Sequence, residues 1–447
     1  MKRLNTESRD LTTGPIAAKL ALFALPLLLS YMVQQLYNTV DLIFAGNLID
    51  ANASAAIGMS GMLVTCLVGF FGGMAVGASA LIARSYGEGD MRGLCTAIHS
   101  TVALCAAGGV VLTAMGELLT PAYLRAMRTP DALLPMASAY LRIYFVSMPA
   151  IVFYNLCSGV LRALGDSRST LVAQGIGGLL NVAVDWLFIA RLHMGVAGAA
   201  WATLISQTVA AAVIICRLMR LETPYALRLQ RVRLDRAVMI GTLRIGVPAG
   251  VQALAITLSN VFAQYHINSL GESAIAAFTA YFKVELLIYY PIIALGQAMM
   301  TFSGQNHGAG RMDRVRRGLM VCLVMGVGFT ALTSAAGLMA GRALFRVFFA
   351  DKTAIRLGHQ IISVTFPFYF VYCFLQIPGD AMRGLGESSK PMLIAVSNIC
   401  LVRTLLLFLI VPRWQDVRGV ALCYPATWAL TALGMMIIWR RELRSIC

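Results

Sequence analysis

Charged residues are scarce in this chain. Asp, Glu, Lys and Arg make up 13% of its 447 residues, while hydrophobic residues reach 59%. A soluble globular domain carries roughly 25% charged residues, so this shortage excludes an ordinary water-soluble fold. Acidic side chains are the scarcer kind: 20 Asp and Glu stand against 36 Lys and Arg, for a net charge of +16. The basic residues sit in short clusters between apolar runs, with no aromatic-interleaved basic face, which excludes nucleic acid as a partner. The five histidines (His99, His193, His266, His307, His359) fall in separate segments without H-E-x-x-H or other metal spacing. Ten cysteines form no C-x-x-C pair and no secreted-type framework; most lie inside apolar runs, where a thiol serves as a small hydrophobe. There is no Walker A loop, nucleophile elbow or strand-borne G-x-G-x-x-G. The chain therefore reads as no enzyme and needs no cofactor, and an ion gradient is the energy source left to it.

What is present is a series of long apolar runs. Read between charged or Gly/Pro-rich breaks, they give twelve spans centred on 17–48, 54–84, 95–120, 132–161, 169–190, 195–220, 237–269, 273–303, 315–340, 356–381, 390–411 and 418–439. Several exceed the ~20 residues needed to cross a bilayer and should tilt, kink or protrude. The polar start, Met1 to Gly14, leads into an apolar segment too long for a cleaved signal peptide. In the second span, Gly69, Gly73 and Gly77 form overlapping G-x-x-x-G steps that let a neighbouring helix approach closely.

The chain also repeats itself. Arg162-Ala163-Leu164-Gly165-Asp166-Ser167 recurs 221 residues later as Arg383-Gly384-Leu385-Gly386-Glu387-Ser388. Gly87 and Gly89 recur as Gly308 and Gly310, Gly198 as Gly419, and Pro26 as Pro248 at an offset of 222. One offset over several landmarks describes a duplicated bundle, and membrane bundles of two repeats commonly carry a solute between them. The expected architecture is an all-α integral membrane protein of two six-helix lobes, 1–221 and 237–447, joined by a charged linker, 222–236. Placing the N-terminus and alternate loops on one side collects 24 Lys and Arg there against 9 on the other. Both termini and the linker should then face the cytoplasm, with the two repeats entering the membrane in the same direction.

An ionisable side chain at membrane depth costs about 2.5–3.5 kcal/mol, so each one present needs a reason. On the first span Gln34, Tyr37, Asn38 and Asp41 share one helical face, and Pro26 frees the carbonyl of Leu22 so that the helix can bend there. On the fifth span Asn181 and Asp185 share a face. Thr203 and Ser206 on the sixth, with Tyr140, Tyr144 and Asn155 on the fourth, stand near corresponding depths. Two carboxylates with an amide and a hydroxyl make an oxygen-rich pocket suited to a hard cation or to shared protons. The plainer alternatives are polar glue between helices, and Asp185 paired with Arg142. The second half does not repeat this set: positions 263, 402, 406 and 424 hold Ala, Val, Leu and Tyr. Its ionic residues are Asp380 near a span end, Lys283 and Glu285 on the eighth span and Arg403 on the eleventh. Arg403 is one candidate partner for Glu285, as a structural ion pair or as substrate contacts.

These residues resemble the multidrug and toxic compound extrusion (MATE) transporters, over nearly the whole chain. The resemblance rests on Leu-Pro26, Leu36-Tyr37-Asn38-Thr39-Val40-Asp41 and Ala45-Gly46, then Gly87-Glu88-Gly89-Asp90. It continues through Leu161-Arg162-Ala163-Leu164-Gly165-Asp166 and Gly195-Val196-Ala197-Gly198-Ala199-Ala200. The pattern looks most like the prokaryotic DinF-type branch, since Ala253–Leu258 lacks the acidic residue that the NorM-type branch places in its seventh helix. That likeness implies Asp41, Asn181, Asp185 and Thr203 as the proton or cation site, holding Na⁺ as a metal if coupling is to sodium. Tyr37, Tyr140 and Asn155 would support it. It also implies a monomeric, multi-pass protein of a bacterial inner membrane, in contact with membrane lipids, that exports amphipathic or cationic small molecules against H⁺ or Na⁺. The alternative within the same superfamily is a lipid-linked oligosaccharide flippase, which typically carries a strongly cationic cleft or extra helices.

Overall fold

The computed structural model describes residues 10–49, 51–349 and 351–446, and the described residues form helices and turns with no strand. The first repeat runs α1 (Ile16–Leu48), α2 (Ala51–Glu88), α3 (Met91–Ala126), α4 (Leu134–Val146), α5 (Met148–Ala163), α6 (Ser167–Asp185) and α7 (Gly195–Met219). The second runs α8 (Arg236–Asn268), α9 (Glu272–Gly308), α10 (Met312–Met339), the short α11 (Gly341–Arg346), α12 (Lys352–Thr365), α13 (Tyr369–Gly384), α14 (Ser389–Ala395), α15 (Arg403–Ile410) and α16 (Val417–Ile446). Among the described residues eleven helical stretches are long and apolar enough to cross a membrane, and α4 with α5, bent by 44°, supplies a twelfth. This is the twelve-span, all-α architecture expected. The fourth span differs in being broken: Ser147 stands between its halves and Pro149, without an amide donor, opens the second.

Helix starts and stops follow from local chemistry. Asp90, Asp166, Asp235 and Asp351 each accept the free amides of a first turn, at 3.0–3.2 Å. At Asp351 the amides of Thr353 and Ala354, in that order, hold the exposed carboxyl below the usual carboxylate range. The repeated glycines are helix stops. Gly165 and its counterpart Gly386 have φ of 82° and 93°, and the next amides reach back five residues, Asp166 N to Leu161 O and Glu387 N to Met382 O. Only glycine takes that left-handed turn without a Cβ penalty, so the landmark recurs wherever the turn does.

Two compact units emerge. The first holds Leu25–Val247; the second holds Leu11–Ala24 with Pro248–Cys447. Helices α1 and α8 therefore each contribute to both units, and the divisions fall beside Pro26 and at Pro248. In the first unit α2, α3, α5 and α7 enclose a core of Ile82, Ile98, Cys105, Val160, Leu161 and Ile214. The start of α8 lies against α2 there: a Cβ on Gly77 would stand 2.2 Å from the carbonyl oxygen of Thr242, so the two backbones are in contact. In the second unit α9 is the central helix, with two-thirds (67%) of its apolar window buried. Leu11 is fastened to it: its N–H donates to Gln305 Oε1 at 3.0 Å and its carbonyl accepts from Asn306 Nδ2 at 3.2 Å.

Candidate functional site

A missing side chain brings the acidic residues together. Gly178 on α6 faces α1, where a Cβ would lie 2.9 Å from Tyr37 Cδ1 and 3.5 Å from Val33 Cγ1. With that room left empty, the face of α1 carrying Tyr37 and Asp41 meets the face of α6 carrying Asn181 and Asp185. Asn181, buried, turns its amide nitrogen to α1 and donates to Asp41 Oδ1 at 2.8 Å and Oδ2 at 3.3 Å. Asp185 is 1% exposed. Among the described residues neither of its oxygens meets an N–H or O–H donor, and the Asp41 carboxyl is its acidic neighbour. The two acids can share a hydrogen bond only when one of them carries a proton. Arg142, the cation that could have neutralised Asp185, faces Glu117 instead at 3.8 Å.

Around the acids lies a polar ladder. Tyr154 donates to Gln174 Oε1, and Gln174 Nε2 donates to Tyr37 Oη at 3.4 Å. Gln34 and Gln207 stand near the Tyr37 hydroxyl. Tyr140 lies close enough to feel the charge of both acids and stacks on Tyr144 with ring centroids 6.0 Å apart. The structure thus gathers Asp41, Asn181, Asp185, Tyr37, Gln34 and Tyr140. It does not draw in the rest by any described contact. Thr203 Oγ1 donates to its own helix at Ala199 O (3.1 Å), Asn155 Nδ2 to Ile151 O (2.8 Å), and Asn38 is exposed. Gln174, Gln207 and Tyr154 were missed. A signal for the first existed: Gln174, Asn181 and Asp185 are spaced by seven and four residues, one face of a helix.

Asp185 also marks a change of helix type. The turn that follows, Trp186–Arg191, is a π-helix, and a second π-helical stretch, Val396–Val402, ends just before Arg403. Such turns interrupt a regular helix and often accompany functional residues.

The second unit corrects one expectation. Among the described residues no ion pair joins Lys283, Glu285 and Arg403. Glu285 accepts from Tyr369 Oη at 2.7 Å and Tyr281 Oη at 3.0 Å. Arg403, buried, lies 4.5 Å over the Tyr424 ring, with long bonds to Asn260 Oδ1 (3.4 Å) and Thr427 Oγ1 (3.5 Å). Lys283 is exposed. Two neighbouring tyrosine hydroxyls satisfied the acid before a longer-range partner was needed. Asp380 is paired with Arg383, which also donates to Gln252 Oε1 at 2.8 Å.

The sequence profile of the MatE family matches residues 26–187 and 248–409, well over half of the chain and in two copies. The chain belongs to the MATE family. It is a transporter, not an enzyme. Among relatives of this MATE protein, the probable multidrug resistance protein YpnP of Bacillus subtilis is 28% identical over 86% of this chain and 85% of its own length. YoeA of the same organism, also named a probable multidrug resistance protein, is 25% identical over 95% and 94%. A protein of Shewanella oneidensis named as an FAD transporter is 24% identical over 97% of both chains. Crystal structures of MATE in conformations described as straight and bent superpose with TM-scores of 0.91 and 0.90, each at 22% identity over 98% of both chains.

Proposed function

We propose that this MATE protein is a multidrug exporter that exchanges amphipathic or cationic compounds for H⁺ or Na⁺ by alternating access. The names of the Bacillus relatives support the substrate class. The observation that carries the exchange is the placing of Asp185 beside Asp41, which Asn181 clamps, with no cation paired with either acid among the described residues.

A buried carboxyl group and a half-buried one side by side repel each other when both are ionised, so the pair takes up a proton or a hard cation readily. For sodium the oxygen donors would be those of Asp41 and Asp185, with that of Asn181 once its amide turns over and Thr203 as the remaining expected ligand. Ionised, the pair favours a cationic drug; neutralised, it no longer does. One member of the pair, Asp41, stands on α1, fifteen residues beyond Pro26, on a helix that contributes to both units. A change in the charge of the pair alters how Asp41 holds Asn181 and Asp185, and the helix can yield at the proline, where one backbone hydrogen bond is already missing. The cation drives transport only because it binds one arrangement of this helix more tightly than the other. On this reading the lobes are 1–221 and 237–447, the working unit is a monomer in the inner membrane, and both termini face the cytoplasm.

The test is Asp41→Asn in everted vesicles. Drug efflux should be abolished with the protein still abundant in the membrane, and the drug-dependent collapse of a pH or sodium gradient should disappear with it. Efflux at the wild-type rate in the variant would sink the mechanism. Drug export without gradient collapse in the wild type would replace antiport by another energy source.

A further inference from the structure

The stretch joining the two repeats is held down along its length. Leu227 N donates to Leu218 O at 3.1 Å, and its side chain is buried in the core of the first unit. His99 of α3 fixes the next residue. Its Nε2 accepts the N–H of Arg228 at 3.0 Å, so the ring proton sits on Nδ1, which donates to Cys95 O at 2.7 Å. Further on, the N–H of Asp235 donates to Ser100 Oγ at 3.0 Å, and the Asp235 carboxylate caps α8. Between these anchors a short 3₁₀ turn, Leu229–Arg231, stands off α3 and leaves a cavity of about 370 Å³. Thr96 and His99 form one wall; Gln230, Arg231 and Arg233 form the other.

The composition of this strap fits one kind of surface. Arg228, Arg231, Arg233 and Arg236 are all exposed, and among the described residues no ion pair takes any of them. The acids of the strap are Glu222 and Asp235, the second spent on the helix cap. Interleaved with the arginines are Leu229, 62% exposed, and Leu234, 51% exposed. A water-soluble anion would use the guanidinium groups but leave both leucines in water. A phospholipid leaflet uses both: guanidinium forks take phosphate oxygens, and leucines enter the acyl boundary.

We infer that residues 222–236 form a binding site for an anionic phospholipid, with the headgroup phosphate in the cavity between α3 and Arg231/Arg233 and Leu229 and Leu234 in the acyl boundary. The site would tie the joint between the repeats to the leaflet on its side. That side is cytoplasmic on the orientation proposed above. Substituted-cysteine labelling at Gln230 checks the orientation separately and leaves the lipid result readable either way.

The measurement is lipid retention by the purified full-length protein in mixed micelles, read by native mass spectrometry with phosphatidylglycerol against phosphatidylcholine. The wild type should keep phosphatidylglycerol preferentially, and less so as salt is raised. R231Q/R233Q, at two exposed positions, should elute as the wild type does on size exclusion yet lose on the order of twenty-fold in that preference. L229S/L234S should lower retention of both lipids while keeping the preference. Equal retention of the two lipids by the wild type, or an unchanged preference in R231Q/R233Q, would overturn the inference. So would complete displacement by millimolar inorganic phosphate, which would mark a site for a soluble anion.

Discussion

Adding one methyl group at Gly296 should destabilise the second unit, and removing Asp380 should reverse the sign of that effect. A Cβ on Gly296 would stand 2.2 Å from Asp380 Oδ2, well inside contact distance. Asp380 cannot swing aside cheaply, because Gln376 Nε2 holds it at 2.7 Å and Arg383 pairs with it. Crowding a packed site costs about 1–3 kcal/mol, and prising apart a buried ion pair costs about 3–5 kcal/mol. Gly296→Ala should therefore cost at least about 2 kcal/mol. The first repeat shows the other solution. The residues 221 positions earlier are Ala75 and Gly159, so there the methyl is present and the facing side chain is gone. In an Asp380→Gly background the methyl meets no oxygen, and alanine is about 1 kcal/mol better than glycine inside a helix. The same Gly296→Ala change should then be neutral or stabilising, although Asp380→Gly itself leaves Arg383 without its acid. The assay is a double-mutant cycle on apparent Tm in detergent, followed by tryptophan fluorescence. If Gly296→Ala lowers Tm equally with and without Asp380, the steric argument is wrong.

Two further outcomes are expected besides those for Asp41 and the lipid strap. Gly178→Val should push Tyr37 and the rest of α1 away from α6, cutting cation-driven efflux at least several-fold. Gly175→Ala, three residues earlier with nothing within 4 Å of its Cβ, should leave efflux unchanged; equal effects would refute the role given to Gly178. Asp351 is held below the usual carboxylate range by two amides, so its cap is in place above that range and is lost as pH falls through the lowered value. Amide exchange at Thr353 and Ala354, corrected for its intrinsic pH dependence, should rise on strong acidification and already be raised at neutral pH in Asp351→Ala.

Much of this protein was legible in its residues because membrane helices are specified locally. Apolar runs of sufficient length must form helices in lipid, whatever they pack against. Gly165 and Gly386 could be matched as repeats before any coordinates, because a left-handed stop is a property of the residue and its immediate neighbours. Asp41 with Asn38 and Tyr37, and Asp185 with Asn181, could be placed on helical faces by spacing alone. Sequence also located Pro26 and Pro248, though not that the two compact units divide beside them.

Tertiary structure decided the partners. Glu285 could reach for Arg403 or for tyrosines; Tyr281 lies one turn away on α9 itself, but only the packing of α13 against α9 put Tyr369 at the same carboxylate oxygen. Thr203 and Asn155 had the right chemistry, but their described hydrogen bonds go to carbonyls of their own helices, while Gln174 joined the ladder that they were expected to support. The linker read as a polar joint, yet His99 and Ser100 pin it to α3. In each case the deciding quantity was which faces of two helices meet, and at what height. That depends on contacts between residues far apart in the chain, such as the vacancy at Gly178 that admits Tyr37, and the period of a single helix does not carry it.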